Sequence, residues 1–313
     1  MANLFLIGNG FDLEHELPTS YQNFKNYLVE KYKIKSNACN ATIPDELTQA
    51  DGNMGINDYE AACFLVYLLD QVEGDLWSNV EKDLGRLSYE DALDQGETPT
   101  DREGDQDCWA SVATYENLAI NMKKSILWIK CFFNDWINSI NIGKAKANSR
   151  IEALFGDDSY FLTFNYTKTL EEIYRIPSNK VCHIHGDLKT RMFFGHGDDT
   201  DYTNVYQEFA TGAEDVLASI DRELRKNTSE AYKKHEDFFH TLTLKESKIE
   251  SIYFFGFSFS EVDQYYLQRL FGSLPTFTLK VFFNDYDDKI KIEKYKDVLK
   301  KLGFEGQFEC YHI

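Results

Sequence analysis

The sequence predicts an α/β protein: an open parallel sheet with a ligand crevice at the carboxyl ends of its strands, interrupted by a largely helical insertion. Two observations carry this. Short apolar runs at residues 4–7, 160–164, 181–185, 192–194, 252–255 and 279–283 each end in a polar or glycine cluster. Between them lie segments whose apolar residues recur at spacings of three and four, so short strands alternate with helices. Ligands of such sheets bind outside the carboxyl ends of the strands, where these polar clusters fall.

The first run, Leu4-Phe5-Leu6-Ile7, reads as a short buried strand that Gly8-Asn9-Gly10 ends in a tight turn. After Pro18, the residues Tyr21, Phe24, Tyr27, Leu28 and Tyr32 trace a helix face with Thr19 or Ser20 as its N-cap. A second helical pattern runs over residues 57–87 through Phe64, Leu68, Val72, Leu76, Trp77, Val80 and Leu84, with Glu73 and Glu81 toward water. A third spans 110–141. Residues 90–107 between them are acidic and rich in turn formers, which predicts a mobile solvated loop. The expected organisation is therefore a sheet core from residues 1–35 and 151–313, with a helical insertion over 36–150. Of the tryptophans Trp77, Trp109, Trp128 and Trp136, most are expected in the core, leaving the rest for contact with another copy of the chain.

The chain has 313 residues, with 52 acidic and 33 basic side chains and a formal charge of −19. Nucleic-acid binding relies on Lys and Arg to neutralise phosphates, so this surface argues against a polynucleotide partner while leaving room for a local nucleotide pocket. The same surface, with no clustered carboxylate motif, argues against a metal-dependent nuclease. Cys39, Cys63, Cys108, Cys131, Cys182 and Cys310 show no C-x-x-C pair, which points away from a zinc site or disulfide framework. A reducing cytoplasm is the expected setting. No apolar run approaches the roughly 18 residues of a membrane span.

Four loops carry candidate chemistry. In Gly8-Asn9-Gly10-Phe11-Asp12-Leu13, the glycines suit either close approach of backbone to a pyrophosphate or an ordinary strand-to-helix turn. Position 13 is Leu where a dinucleotide fingerprint has its third Gly, and Asp12 suits a ribose hydroxyl better than phosphate. Asn165, in Phe164-Asn165-Tyr166-Thr167, can hold an amide or an attacking water, or simply form a turn. In His183-Ile184-His185-Gly186, a strand would place both histidines on one face. A metal would need a third ligand, for which His196 is the nearest candidate. A base or ribose-orienting role suits His185, and an interior hydrogen-bonded role suits His183. Gly256-Phe257-Ser258-Phe259-Ser260 offers N–H groups and the Ser258 hydroxyl to a phosphate, or Ser260 as a plain helix cap. The last apolar run delivers Asn284 and Asp285 to the same edge, for a ribose or for a turn.

In order along the chain, these loops resemble the sirtuin-like NAD-binding fold, a Rossmann-type sheet. More closely, the stretch from Leu4 to Leu13, the L-P-T-S-Y-Q-N-F run from Leu17, the block from Leu76 to Glu81, F-N-Y-T, H-I-H-G, F-G-H-G and G-F-S-F-S-E-V-D are similar to the AbiH family of bacterial phage abortive-infection proteins. The resemblance implies an NAD crevice with Gly8, Asn9 and Gly10 at the pyrophosphate, Asn165 near the nicotinamide ribose and His185 as the catalytic histidine. It also implies Gly256 and Ser258 at the phosphate or ribose side and Asn284 at the adenosine ribose. Asp12 and His15 belong to the AbiH version of the first loop.

The chain departs from sirtuins in lacking paired C-x-x-C motifs, in reading Asn165-Tyr166-Thr167 where they have Asn-Ile-Asp, and in lacking an Arg near Pro18. Protein deacylation is thereby disfavoured. The expected activity is hydrolysis of NAD to nicotinamide and ADP-ribose without a metal, with a phage-derived trigger or self-association as expected partners. NADP or ADP-ribose remain alternative ligands. The rival expectation is a non-catalytic nucleotide-binding sensor or scaffold, favoured by the missing Asp after Asn165.

Overall fold

A computed structural model describes residues 2–35, 39–48, 52, 54–71, 84–85, 87–94, 99–100, 102–105, 107–187, 190–244 and 247–312. The chain forms two compact units. One comprises Met1–Ser20, Ile137–Phe193 and Lys226–Ile313, and the other Tyr21–Trp136 and Phe194–Arg225. By this division helix Tyr21–Tyr32 and residues 194–225 group with the insertion and residues 137–150 with the sheet, against the expected bounds at 35 and 150.

The strands, in chain order, are β1 (Ala2–Ile7), β2 (Glu46–Thr48), β3 (Met54–Ile56), β4 (Tyr160–Thr163), β5 (Val181–His183), β6 (Ile249–Phe255), β7 (Lys280–Asn284) and β8 (Gln307–Tyr311). In the first unit, six of them form one sheet in the order β5-β4-β1-β6-β7-β8, every neighbouring pair parallel. From the central β1 the chain moves outward on one side through β4 and β5, then returns to fill the other side. Numbered within the sheet, this is the doubly wound Rossmann order 3-2-1-4-5-6, whose switch point lies between β1 and β6.

Register aligns the ends of these strands. Ile7 pairs with both Thr163 and Phe255, and Thr163 pairs with His183. Gly8, Phe164, Ile184 and Gly256 therefore start their loops at one level along the sheet edge. The sheet is held by burial on both faces, as alternation along β1 shows. Leu4 and Leu6 join Leu162, Cys182, Ile252, Phe254, Val281 and Phe283 in one core. Phe5 and Ile7 join Phe161, Phe255 and Tyr311 in the other. Successive side chains of a strand point to opposite faces, so a run of four apolar residues supplies both layers.

Three expectations about strands need correction. Residues 192–194 form no strand: Phe193 is buried in the first core and donates its N–H to the His185 carbonyl at 2.8 Å, so its apolar character serves packing. β5 stops at His183, because Gly186, at φ +82°, turns the chain and donates to the His183 carbonyl at 2.9 Å. The two histidines thus do not share a strand face. β8 was not anticipated, since Gln307, Glu309 and Cys310 on this edge strand are exposed and break any apolar run.

The second unit is largely helical, with a small β2–β3 hairpin. The pattern over 57–87 is a helix at Asp58–Asp70, capped by the Asn57 side chain on the Tyr59 and Glu60 amides. Its continuation through Leu76 and Trp77, with Glu73 and Glu81, lies outside the described residues. The pattern over 110–141 is two helices, Cys108–Leu127 and Ile129–Ser139, interrupted at Trp128. Tyr21–Tyr32 packs on this group: Tyr21 Oη donates to the Leu69 carbonyl, and Phe24 meets Phe133 and Trp136 at 5.8 and 5.3 Å between ring centroids. The acidic block is not wholly a loop, for Glu90–Leu93 forms a helical turn that buries Ala92 and Leu93. Trp136 is core and Trp109 is exposed.

Candidate functional site

The first loop leaves β1 through Gly8 into a short helix, Asn9–Glu14. Gly8 N–H donates to the Phe255 carbonyl at 2.9 Å and Gly10 N–H to that of Gly256 at 3.1 Å. A Cβ on Gly8 would lie 2.4 Å from the Gly256 oxygen, and one on Gly10 2.6 Å from the Gly256 Cα. The glycines thus let the β1 and β6 loops cross backbone to backbone. The close approach expected for a pyrophosphate is taken up by the protein itself in this conformation.

The polar side chains of the loop turn inward. Asn9 Nδ2 donates to the Thr19 carbonyl at 3.0 Å. Asp12, expected at a ribose hydroxyl, is fully buried and accepts from the Thr167 and Thr169 hydroxyls at 2.5 and 2.7 Å. Burial pushes its carboxyl above the usual range, against the opposing threonine hydrogen bonds and His15. His15 donates from Nδ1 to the Phe11 carbonyl at 2.6 Å and bonds Tyr174 Oη through Nε2 at 2.6 Å.

Asn165 belongs to the same crossing. Its Nδ2 donates to the Gly8 carbonyl at 3.1 Å, and its own carbonyl accepts from His183 Nδ1 at 3.0 Å. His183 Nε2 in turn contacts Glu171 Oε1 at 3.0 Å. Burial works to lower the His183 pKa, but the hydrogen bond and charge of Glu171 outweigh it and raise the group above its ordinary value. Both ring nitrogens are engaged, which makes His183 an interior tether.

His185 is placed differently. It sits at 3% exposure beside Phe164, Tyr266 and Tyr166, at ring distances of 5.4, 5.7 and 6.0 Å. Its Nε2 lies 3.1 Å from Asp263 Oδ1, an ion-pair distance without hydrogen-bond alignment, with both atoms buried. Asp263 is in the first turn of helix Glu261–Ser273, where Ser260 Oγ donates to its Oδ2 at 2.8 Å. Lys226 Nζ, on a side chain with no exposure, is 3.7 Å from Asp263 Oδ1. Burial alone would push the Asp263 carboxyl up; Lys226, His185 and Ser260 reverse this and hold it below the usual carboxylate range. The bend that delivers Asp263 is held by Phe259, a non-glycine residue at φ +57° stacked on Tyr295 at 4.2 Å. Such a conformation costs about 1–3 kcal/mol and persists only when its surroundings enforce it.

A third histidine, His235, adjoins this edge. Burial, reinforced by the charge of Lys234, brings its pKa down to about 4. Its Nε2 is buried without a hydrogen-bond partner among the described residues.

The remaining candidates have other settings. Gly256 and Ser258 are exposed. Asn284 Oδ1 accepts from the Tyr286 amide at 3.1 Å, a turn-forming role, and Asp285 pairs with His312. His196 lies in the second unit, bonded to the Asp221 carbonyl and the Asp198 amide. No group of three or more His, Cys, Asp or Glu among the described residues is arranged to hold a metal. Asp263 and Lys226 escaped sequence reasoning. Asp263 carried a signal, three residues past Ser260 at a helix start, whereas Lys226 carried none.

The family model described as Bacteriophage abortive infection AbiH matches residues 4–285. The chain belongs to this AbiH family. The matched span runs from β1 to just past β7, so it contains every loop described above, all of the second unit and the first unit as far as Asp285. No curated protein matches the sequence. No helix among the described residues is long and apolar enough to cross a membrane.

Proposed function

We propose that this AbiH-family chain acts in phage abortive infection by hydrolysing NAD to nicotinamide and ADP-ribose in the cytoplasm. The observation that carries the reading is the buried imidazole–carboxylate pair of His185 and Asp263, beside the switch-point loops of a Rossmann-type sheet. Dinucleotides bind at that point in doubly wound sheets, and a likeness to the sirtuin fold extends the argument to NAD.

In the proposed reaction the C1′–N1 bond breaks and its electron pair leaves with nicotinamide, which becomes neutral. The ribose passes through an oxocarbenium ion that nearby carboxylate charge stabilises. Water attacks C1′ and gives a proton to His185, whose ring is oriented by Asp263. Asn165 orients the nicotinamide or the water, which requires its side chain to exchange its Gly8 partner for the ligand.

The test is nicotinamide release from NAD by the wild type, His185→Ala and Asn165→Ala, with folding checked by circular dichroism. The expected result is release by the wild type and loss in both folded variants. Undiminished release by folded His185→Ala would remove the assignment.

One observation favours a second reading, a nucleotide-binding sensor without turnover. The Gly8 and Gly10 N–H groups are spent on the β6 loop and Asn165 is a tether of that crossing. An uncleaved nucleotide found by mass spectrometry on the purified protein, with no nicotinamide released, would establish this reading instead.

A further inference from the structure

His183 is set between two acceptors. Its Nδ1 is 3.0 Å from the Asn165 carbonyl oxygen and its Nε2 is 3.0 Å from Glu171 Oε1. A carbonyl oxygen and an ionised carboxylate accept hydrogen bonds and donate none. A neutral imidazole carries one N–H, so either tautomer would turn a ring lone pair toward one of these oxygens. The imidazolium, with both nitrogens protonated, satisfies both. Burial of the ring works against the cation, yet Glu171 outweighs it and the His183 pKa stands above its ordinary value.

Both partners depend on that cation. The Glu171 side chain is 14% exposed, and its Oε2 is buried without a hydrogen-bond partner among the described residues. The bond from His183 Nε2 is what holds this carboxylate there. On the other side of the ring, the Asn165 N–H donates to Thr163 Oγ1 at 3.1 Å and its Nδ2 to the Gly8 carbonyl at 3.1 Å. The backbone that aims the Asn165 side chain is thus hung from a charged ring.

We propose that His183 and Glu171 are positioning residues: the doubly protonated ring clamps the Asn165 carbonyl to the Glu171 carboxylate, so that pH sets how firmly the Asn165 side chain is aimed. Loss of the ring proton leaves one of the two acceptors facing a lone pair, and the clamp opens on that side. Its bearing on catalysis rests on Asn165 holding the nicotinamide or the water in the function proposed above.

The charged groups around the ring leave Glu171 as its counter-ion. Asp187, in the segment after β5, also favours the cation but is paired with Lys168 at 2.7 Å. His235, within electrostatic reach of His183, is held toward its neutral form by burial beside Lys234. His185 faces Asp263 instead.

The experiment is an NMR titration of the full chain with isotopically labelled histidine rings and asparagine side chains. His183 is assigned by its absence in His183→Gln, and Asn165 by its absence in Asn165→Asp. At about pH 6 the His183 ring is expected with both nitrogens protonated. The Asn165 Nδ2 resonances should then move with the midpoint at which the ring loses its proton. Glu171→Gln removes the counter-ion and should lower both midpoints together by about one unit. A singly protonated ring at about pH 6, or Asn165 resonances that stay still while His183 titrates, would overturn the proposal, and wild type alone decides this if Glu171→Gln fails to fold. Midpoints unmoved in folded Glu171→Gln would overturn it as well. In nicotinamide release, kcat/KM should fall by about 10-fold or more on the alkaline side of the same midpoint, since a small misplacement of a reacting group can cost up to about 100-fold. The fall should move to lower pH in Glu171→Gln, a response that a packing role would not give. Release that runs level through the midpoint would remove the positioning roles and leave the NAD reading. Joint titration with no release at any pH would remove the NAD reading and leave the clamp.

Discussion

Two polar regions lie along one edge of the sheet, and they are built on opposite terms. At the crossing of the β1 and β6 loops, Asp12 holds two threonine hydroxyls, His15 and His183 use both ring nitrogens, and the glycines meet backbone to backbone. At the His185 edge, Nε2 and Asp263 Oδ1 are equally buried but lack aligned hydrogen bonds. Burying a polar group without a good partner costs about 1–3 kcal/mol, so a fold keeps such a place only if its surroundings supply the stability. The crossing is that supply, and it makes the His185 edge the better candidate for chemistry.

The sharpest way to test this division is to change each region and read both activity and stability. His185→Gln keeps the side-chain volume, so it should leave thermal stability within about 1 kcal/mol of wild type. Nicotinamide release should fall by about 100-fold or more, the usual contribution of a general base. A variant that unfolds but keeps its specific activity when folded would reverse the roles assigned to the two regions. Gly256→Ala should do the opposite. Its Cβ would lie 2.5 Å from Gly10 backbone atoms, and the residue is at φ +59°, so denaturant melts should show a loss of about 2–4 kcal/mol. An unchanged melting midpoint would show that the loops separate freely.

The same division explains what was legible in the sequence. The sheet could be read because residues 4–7, 160–163 and 252–255 are apolar on both faces, and burial on both faces leaves no other pattern. β8 could not, because an edge strand exposes residues such as Glu309, which erase periodicity. The loops that meet were recognisable from Gly8, Gly10, Asn165, His185 and Gly256, since strand ends and glycines mark them. Their partners were less so. That glycine would face glycine depends on strand order, and that Lys226 would reach Asp263 depends on packing between segments distant in sequence. Residue type alone identified groups able to do chemistry; only the fold separated those with every atom bonded from those with atoms left over.

Asp12→Asn offers a smaller perturbation of the crossing. The amide keeps the shape but turns one acceptor into a donor facing a threonine hydroxyl, for an expected loss of about 1–2 kcal/mol with His185 chemistry retained. Because burial raises the Asp12 carboxyl in the folded state, ionising it opposes folding. The deficit of the variant, measured by urea melts, should therefore shrink as pH rises above about 4, the ordinary Asp range. A deficit that grows with pH would mean that the ionised carboxylate is the stabilising form.

The smallest expected effect belongs to the His183–Glu171 contact, which supports the crossing from β5. His183 has a folded pKa above its ordinary value, so its protonation stabilises the folded state. That contribution is complete below about pH 6.5, the unfolded value, and is lost as pH rises through the folded value. Glu171→Gln keeps a hydrogen-bond acceptor but removes the charge. The stability difference between wild type and variant should be greatest on the acid side of this window and should vanish above it. Urea melts across pH 5.5 to about 8.5 measure this directly. A difference constant over that range would mean that Glu171 holds a neutral ring, leaving the crossing without a charged member at neutral pH.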